Sequence, residues 1–70
     1  MKWYRYDMIG AYYSGIKTHP LEDMQENLGL HILKAEPVTI GDCWIIKTDT
    51  IKDNLPSYMI DITDIVKEST

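Results

Sequence analysis

The chain has 70 residues, 44% hydrophobic and 26% charged, with one cysteine and a net charge of −4. That is the length of one small domain, which buries only roughly 60% of the surface its unfolded chain exposes. A lone cysteine excludes an internal disulfide, no run approaches the roughly 18 apolar residues of a membrane-spanning helix, and the acidic balance weighs against non-specific binding to DNA or an anionic membrane. No repeat, linker or low-complexity tract divides the chain, so residues 1–70 are expected to form a single α+β domain.

The opening "MKWYRYDMIGAYY" holds five of the seven aromatic side chains, Trp3, Tyr4, Tyr6, Tyr12 and Tyr13, and no phenylalanine occurs anywhere. Its β-branched and aromatic content predicts a strand from Lys2 to Tyr13. Alternation sets Lys2, Tyr4, Tyr6, Met8 and Tyr12 on one face and Trp3, Arg5, Asp7, Ile9, Ala11 and Tyr13 on the other. Gly10 then marks a bulge or bend, and "YSGIKTHP" is a loop.

"THPLEDMQENLG" predicts a short helix. Thr18 or His19 caps it, Pro20 suits its first turn, and Glu22 and Asp23 complement its positive end. Leu21, Met24 and Leu28 form its apolar stripe, and Gly29 is the stop. Ile32 and Ala35 extend the same stripe and suggest a longer helix, but a helical glycine costs about 1 kcal/mol and "LHILKAE" alternates as a strand. The stop at Gly29 is preferred.

Pro37 and Gly41-Asp42 bound a turn before "CWIIKTDTI", a strand with Trp44, Ile46 and Thr48 on one face and Cys43, Ile45 and Lys47 on the other. "KDNLP" is a turn. "SYMIDITDIV" alternates, predicting Tyr58, Ile60 and Ile62 inward and Met59, Asp61 and Thr63 outward; alternatively Thr63 caps a last helical turn ahead of a charged end. The order β-α-β-β-β points to an antiparallel sheet with one helix packed on it, or to an SH3-like curled barrel bearing one helix.

Catalytic chemistry finds little footing. A thiol site would need Cys43 with His19 or His31, but Cys43 lies in the most apolar strand, where burial makes a thiol inert. Ser14, Ser57 and Ser69 sit in no nucleophile turn. His19 and His31 are twelve residues apart, and "DITD" offers Asp61 and Asp64 without the glycine and further oxygens of a calcium loop. The loop before the helix has one glycine and Lys17, too little for a phosphate cradle. The expectation is no enzyme, no metal and no cofactor.

Charge is unevenly spread. Residues 1–17 hold Lys2, Arg5 and Lys17 against Asp7, and residues 18–70 hold four basic against ten acidic residues. Tyrosine and tryptophan combine large apolar area with a polar tip, as interfaces favour. The expected function is a non-catalytic module that binds, and regulates or inhibits, a protein with a basic patch. Its contact residues are expected to be Trp3, Tyr4, Tyr6 and Tyr12, with Glu22, Asp23 and Glu26 steering. Pairing along an exposed aromatic strand is one form of this, and self-association would stabilise two small cores.

The runner-up is a nucleic-acid module in which tyrosines stack bases beside Lys2, Arg5 and Lys17. The absence of an apolar leader after Lys2 and a reduced buried thiol point to the cytoplasm. Size and acidity match those common among small interaction proteins, including host-directed inhibitors encoded by phages and other mobile elements; no motif carries that comparison.

Overall fold

A computed structural model describes residues 1–66; Ser69 and the charged end after Val66 lie outside them. Four antiparallel strands, β1 (Lys2–Asp7), β2 (Ile32–Val38), β3 (Cys43–Thr48) and β4 (Met59–Asp61), form one sheet in the order β2-β3-β1-β4. The expected α+β architecture holds. The order ends at β2 and β4, and no pairing joins these two among the described residues. β1 is a central strand, paired with β3 on one side and β4 on the other. Pairing of a partner along the aromatic strand is therefore excluded, because both of its ladders are filled.

The long N-terminal strand is corrected. β1 stops at Asp7, and Met8–Tyr13 form a short helix, α1. Asp7 causes the switch: its carboxylate accepts the Ile9 N–H at 3.1 Å, the bond a helix N-cap makes. Gly10 is not a strand bulge. It lies inside α1, where an added Cβ would sit 3.0 Å from Tyr58 Cβ, so the absence of a side chain lets the helix approach the segment entering β4. Met8 and Ala11 turn toward the core, and Ala11 is buried.

The second helix starts where expected and is split. α2 (Pro20–Glu22) passes directly into a π-helical turn (Asp23–Asn27). His19, not Thr18, is the cap: its Nδ1 accepts the Leu21 N–H at 3.1 Å, and its ring stands edge-on to Trp44. The Leu28 N–H reaches back to Asp23 O, and Gly29 takes φ +70 as the segment ends. His19→Ala should lower stability by about 1 kcal/mol, about 4–8 °C in Tm for a domain of this size. His19→Ser should recover most of it in a thermal melt.

β2 confirms the stop at Gly29 and explains the ambiguity there. Ile32 pairs with Thr48 and Lys34 with Lys47, so Leu33 is an extra residue, a bulge. The bulge lets Ile32 and Ala35, three apart, both pack on the core. Their helix-like spacing is the signature of this irregular strand. Pro37 does not bound the turn but lies within β2, opposite Trp44; β2 is an edge strand, where a missing N–H is tolerated. The turn to β3 follows, with Asp42 at φ 46.

Tyr58 packs inward and Asp61 is exposed, as expected, but the facing predicted for Met59 and Ile60 is inverted. Met59 is buried and Ile60 is exposed. Register decides this: Met59 lies opposite Tyr6, whose ring is in the core, while Ile60 lies opposite Arg5 on the other face. A last turn does form after β4, with the Ile62 carbonyl accepting the Ile65 and Val66 N–H groups at 2.9 Å, but Asp61 and not Thr63 supplies its cap. Asp61 accepts both the Thr63 N–H (2.9 Å) and hydroxyl (2.6 Å), forming a turn after β4. Both helices pack on one face of the sheet, around Tyr4, Tyr6, Met24, Leu30 and Ile46. Cys43 is a buried free thiol.

Candidate protein-binding site

The contact residues expected from sequence are divided between core and surface. Tyr4 and Tyr6 are each 1% exposed, and Asp23 is equally buried. None offers a side chain to a partner, which corrects three of the seven expected contacts. Trp3 is half-buried on the opposite sheet face, whereas Tyr12, Glu22 and Glu26 are exposed. The basic residues of the N-terminal arm do not converge either. Lys2 pairs with Asp61 at 3.2 Å, Arg5 lies on the far sheet face opposite Ile45 and Ile60, and Lys17 lines a groove beside α1.

The burial of the tyrosines answers why none is phenylalanine. Tyr6 and Tyr58 both donate to Oδ2 of Asp23, at 2.8 and 2.9 Å, and Asn27 Nδ2 donates to Oδ1 at 2.7 Å. Tyr4 accepts the Lys52 N–H at 3.4 Å. Asp23 thus does not steer a partner. It is the shared acceptor joining β1, the π-helical turn and the segment before β4. A buried carboxylate without these donors would be costly; here every described buried side-chain polar atom has a partner.

Burial, and then the neighbouring Asp23 carboxylate, raise the Tyr6 phenol far above its ordinary value and push Tyr58 up to about 12. Both folded values exceed the unfolded value near 10, so their contribution is fully present below pH 10 and lost as pH rises from there through the folded values. Stability should fall by about 1.4 kcal/mol per pH unit for each phenol above pH 10. Urea midpoints at pH 9, 10 and 11 measure this, and Tyr6→Phe should remove about half of the slope.

With those tyrosines in the core, the exposed aromatic side chains are the two of α1, beside Ile9; other exposed apolar residues, Met1, Leu33, Val38, Ile51, Ile60 and Ile65 among them, lie elsewhere on the described surface. Ile9 is 50% exposed, Tyr12 72% and Tyr13 83%. The rings of Tyr12 and Tyr13 meet edge to face at 5.5 Å. Tyr12 forms a ridge between two grooves. One, of about 410 Å³, runs from Met8 and Ala11 to Ile16, Lys17 and Pro20, with Tyr6 at its floor. The other, of about 430 Å³, lies between Ile9, Tyr13 and Asp42. Asp42 belongs to the β2–β3 turn, whose Ile40 is 99% exposed, and the Asp42 carbonyl accepts the Met8 N–H at 3.0 Å, tying that turn to α1.

Exposed aromatic side chains beside shallow grooves are a form that a contact surface can take. The exposure of Ile9 and Tyr13 side by side was not anticipated because residues 8–13 were taken as strand. The signal was present in Asp7 followed by Met8 and Ala11, a cap and two inward positions at helical spacing.

Chemistry is scarce elsewhere. Asp61 is held below the usual carboxylate range by the hydrogen bonds from Thr63, with Lys2 adding to them. His31 pairs with Asp49 at 3.1 Å on the surface, remote in sequence from the His19 cap. Among the described residues no cluster of His, Cys, Asp or Glu could hold a metal ion, and no helix is long and apolar enough to cross a membrane. Comparisons with protein-family models, curated proteins and solved structures find no match to this chain.

Proposed function

We propose that this chain is a non-catalytic cytoplasmic module that binds another protein through α1 and the β2–β3 turn, and so regulates or inhibits it. The observation that carries this reading is the exposed apolar ridge of Ile9, Tyr12 and Tyr13 between two grooves. Aromatic side chains of this kind supply most of the energy at protein interfaces. Glu22 and Glu26, exposed and without an ion pair among the described residues, together with Asp42, suit a partner whose contact patch is basic. They speed encounter, and the tyrosines hold the complex.

The reading is tested by capture from the extract of the source cell with the tagged chain, with and without nuclease. A stoichiometric protein retained after nuclease, and released by a small excess of untagged chain, is the expected result. Recovery of only the chain itself would replace the outside partner with a second copy, and loss of every captured protein after nuclease would overturn the reading.

A further inference from the structure

We propose that the outer edge of β2 pairs antiparallel with the β2 edge of a second copy, centred on Ala35, joining two chains in one eight-stranded sheet. β2 is an end strand, paired with β3 on one side and with no strand on the other among the described residues. Five of its seven residues are exposed: Leu33, Lys34, Glu36, Pro37 and Val38. An open edge of this length is a template for pairing with another chain.

The order of side chains along the strand selects a second copy of this chain. Ile32 and Leu33 precede Lys34, Ala35 is a small centre, and Glu36 is followed by Pro37 and Val38. Read from either end the pattern is two apolar residues, a charge, a small residue, a charge and two apolar residues, and the two charges are opposite. With Ala35 opposite Ala35 of the second copy, Lys34 of each chain faces Glu36 of the other, a contact the twofold axis makes twice. The same register brings Ile32 and Leu33 of one chain beside Val38 and Pro37 of the other. Centring the pair on Lys34 or Glu36 instead sets a charge against its own copy.

Lys34 and Glu36 are placed for this exchange. They lie on one sheet face and meet within the chain at 3.3 Å, both more than half exposed. Such a pair contributes little to a single chain, and replacing one in each chain by two across the interface leaves no charge unmatched.

The bulge at Leu33 and the missing N–H of Pro37 fall at opposite ends of the strand, so they shorten the ladder and leave residues 34–36 regular. The other sheet edge, β4, is three residues long and ends in the Asp61 turn. That disfavours head-to-tail growth, so β2 against β2 closes as a twofold dimer.

The test is sedimentation equilibrium of the full chain. Seven residues a side make a small interface, for which a micromolar dissociation constant is expected. The average mass should therefore rise from 8.1 kDa toward twice that value between about 5 and 500 μM. Lys34→Glu and Glu36→Lys should each weaken pairing at least about tenfold, because the axis repeats the like-charge contact. Mixed together, the two reversed chains should pair about as tightly as the parent, and Tyr12→Ser should pair unchanged. Amide exchange of the parent chain should slow at residues 32–38 alone over the same concentration range.

A single-chain mass throughout, pairing indifferent to both reversals, no recovery on mixing, or loss in Tyr12→Ser would overturn the proposal. Because the parent's mass and exchange need no variant, the decision stands even where a reversed chain does not fold. The edge is separate from α1, so this test and the capture experiment fail independently.

Discussion

Asp23→Ala is expected to remove a large share of the protein's stability. The substitution leaves the buried Tyr6 hydroxyl, the Tyr58 hydroxyl and the Asn27 amide without the acceptor all three now share. Unsatisfied buried donors cost about 1–3 kcal/mol each, so a loss of about 3–5 kcal/mol is expected once partial relaxation is allowed. A chain of this length has a total of only about 4–10 kcal/mol to lose. Thermal melts by circular dichroism should therefore show Tm at least about 12 °C lower.

Asp23→Asn keeps the shape and one carbonyl acceptor and should cost about 1–3 kcal/mol. Tyr6→Phe removes one donor while Tyr58 and Asn27 still serve the carboxylate, so it should cost less than the alanine variant. That ranking distinguishes a shared acceptor from a generally sensitive core. An Asp23→Ala protein melting within a few degrees of the parent would show that Asp23 does not tie the three segments together.

The double substitution Tyr12→Ser, Tyr13→Ser should have the opposite profile: an intact fold and a lost function. Both rings are largely exposed and outside the buried cluster, so stability should change by no more than about 0.5 kcal/mol. A contact that matters at an interface costs about 2 kcal/mol or more on truncation, so affinity for the captured partner should fall at least about thirtyfold, measured by titration of purified components. Tyr4→Ser and Tyr6→Ser should instead destroy the fold, and binding only as a consequence. Full affinity in the Tyr12, Tyr13 double variant would move the interface away from α1.

The strands, the helix start and the stop at Gly29 were legible because each rests on local chemistry: alternation in Cys43–Thr48, Pro20 after a capping residue, a glycine at positive φ. What failed rests on non-local pairing. Tyr6 and Asp23 lie in different elements, and only the fold shows that the phenol of one needs the carboxylate of the other. Seen singly, Asp23 suits a helix N-terminus and Tyr6 suits an interface.

The inverted facing of Met59 and Ile60 has the same origin, since Met59 points inward because it lies opposite Tyr6. The helix-like spacing of Ile32 and Ala35 reflects the bulge at Leu33, which no propensity encodes. Only Asp7 was misjudged despite a local signal. Strand-forming aromatics on both sides outweighed its capping role, and with it went Ile9 and Tyr13. The row of Trp3, Lys47 and Lys34 could not be seen in one dimension, because Lys34 and Lys47 reach Trp3 only through pairing of β2 with β3 and β3 with β1.

The central claim is that α1 and the adjoining β2–β3 turn form the surface that meets a partner protein. Hydrogen–deuterium exchange of the chain, alone and saturated with the protein it captures, tests this most directly. Slowed exchange confined to residues 8–13 and 39–42, with the sheet interior unchanged, is the predicted result. Protection centred on the β2 edge at 32–38 with α1 unaffected would contradict it.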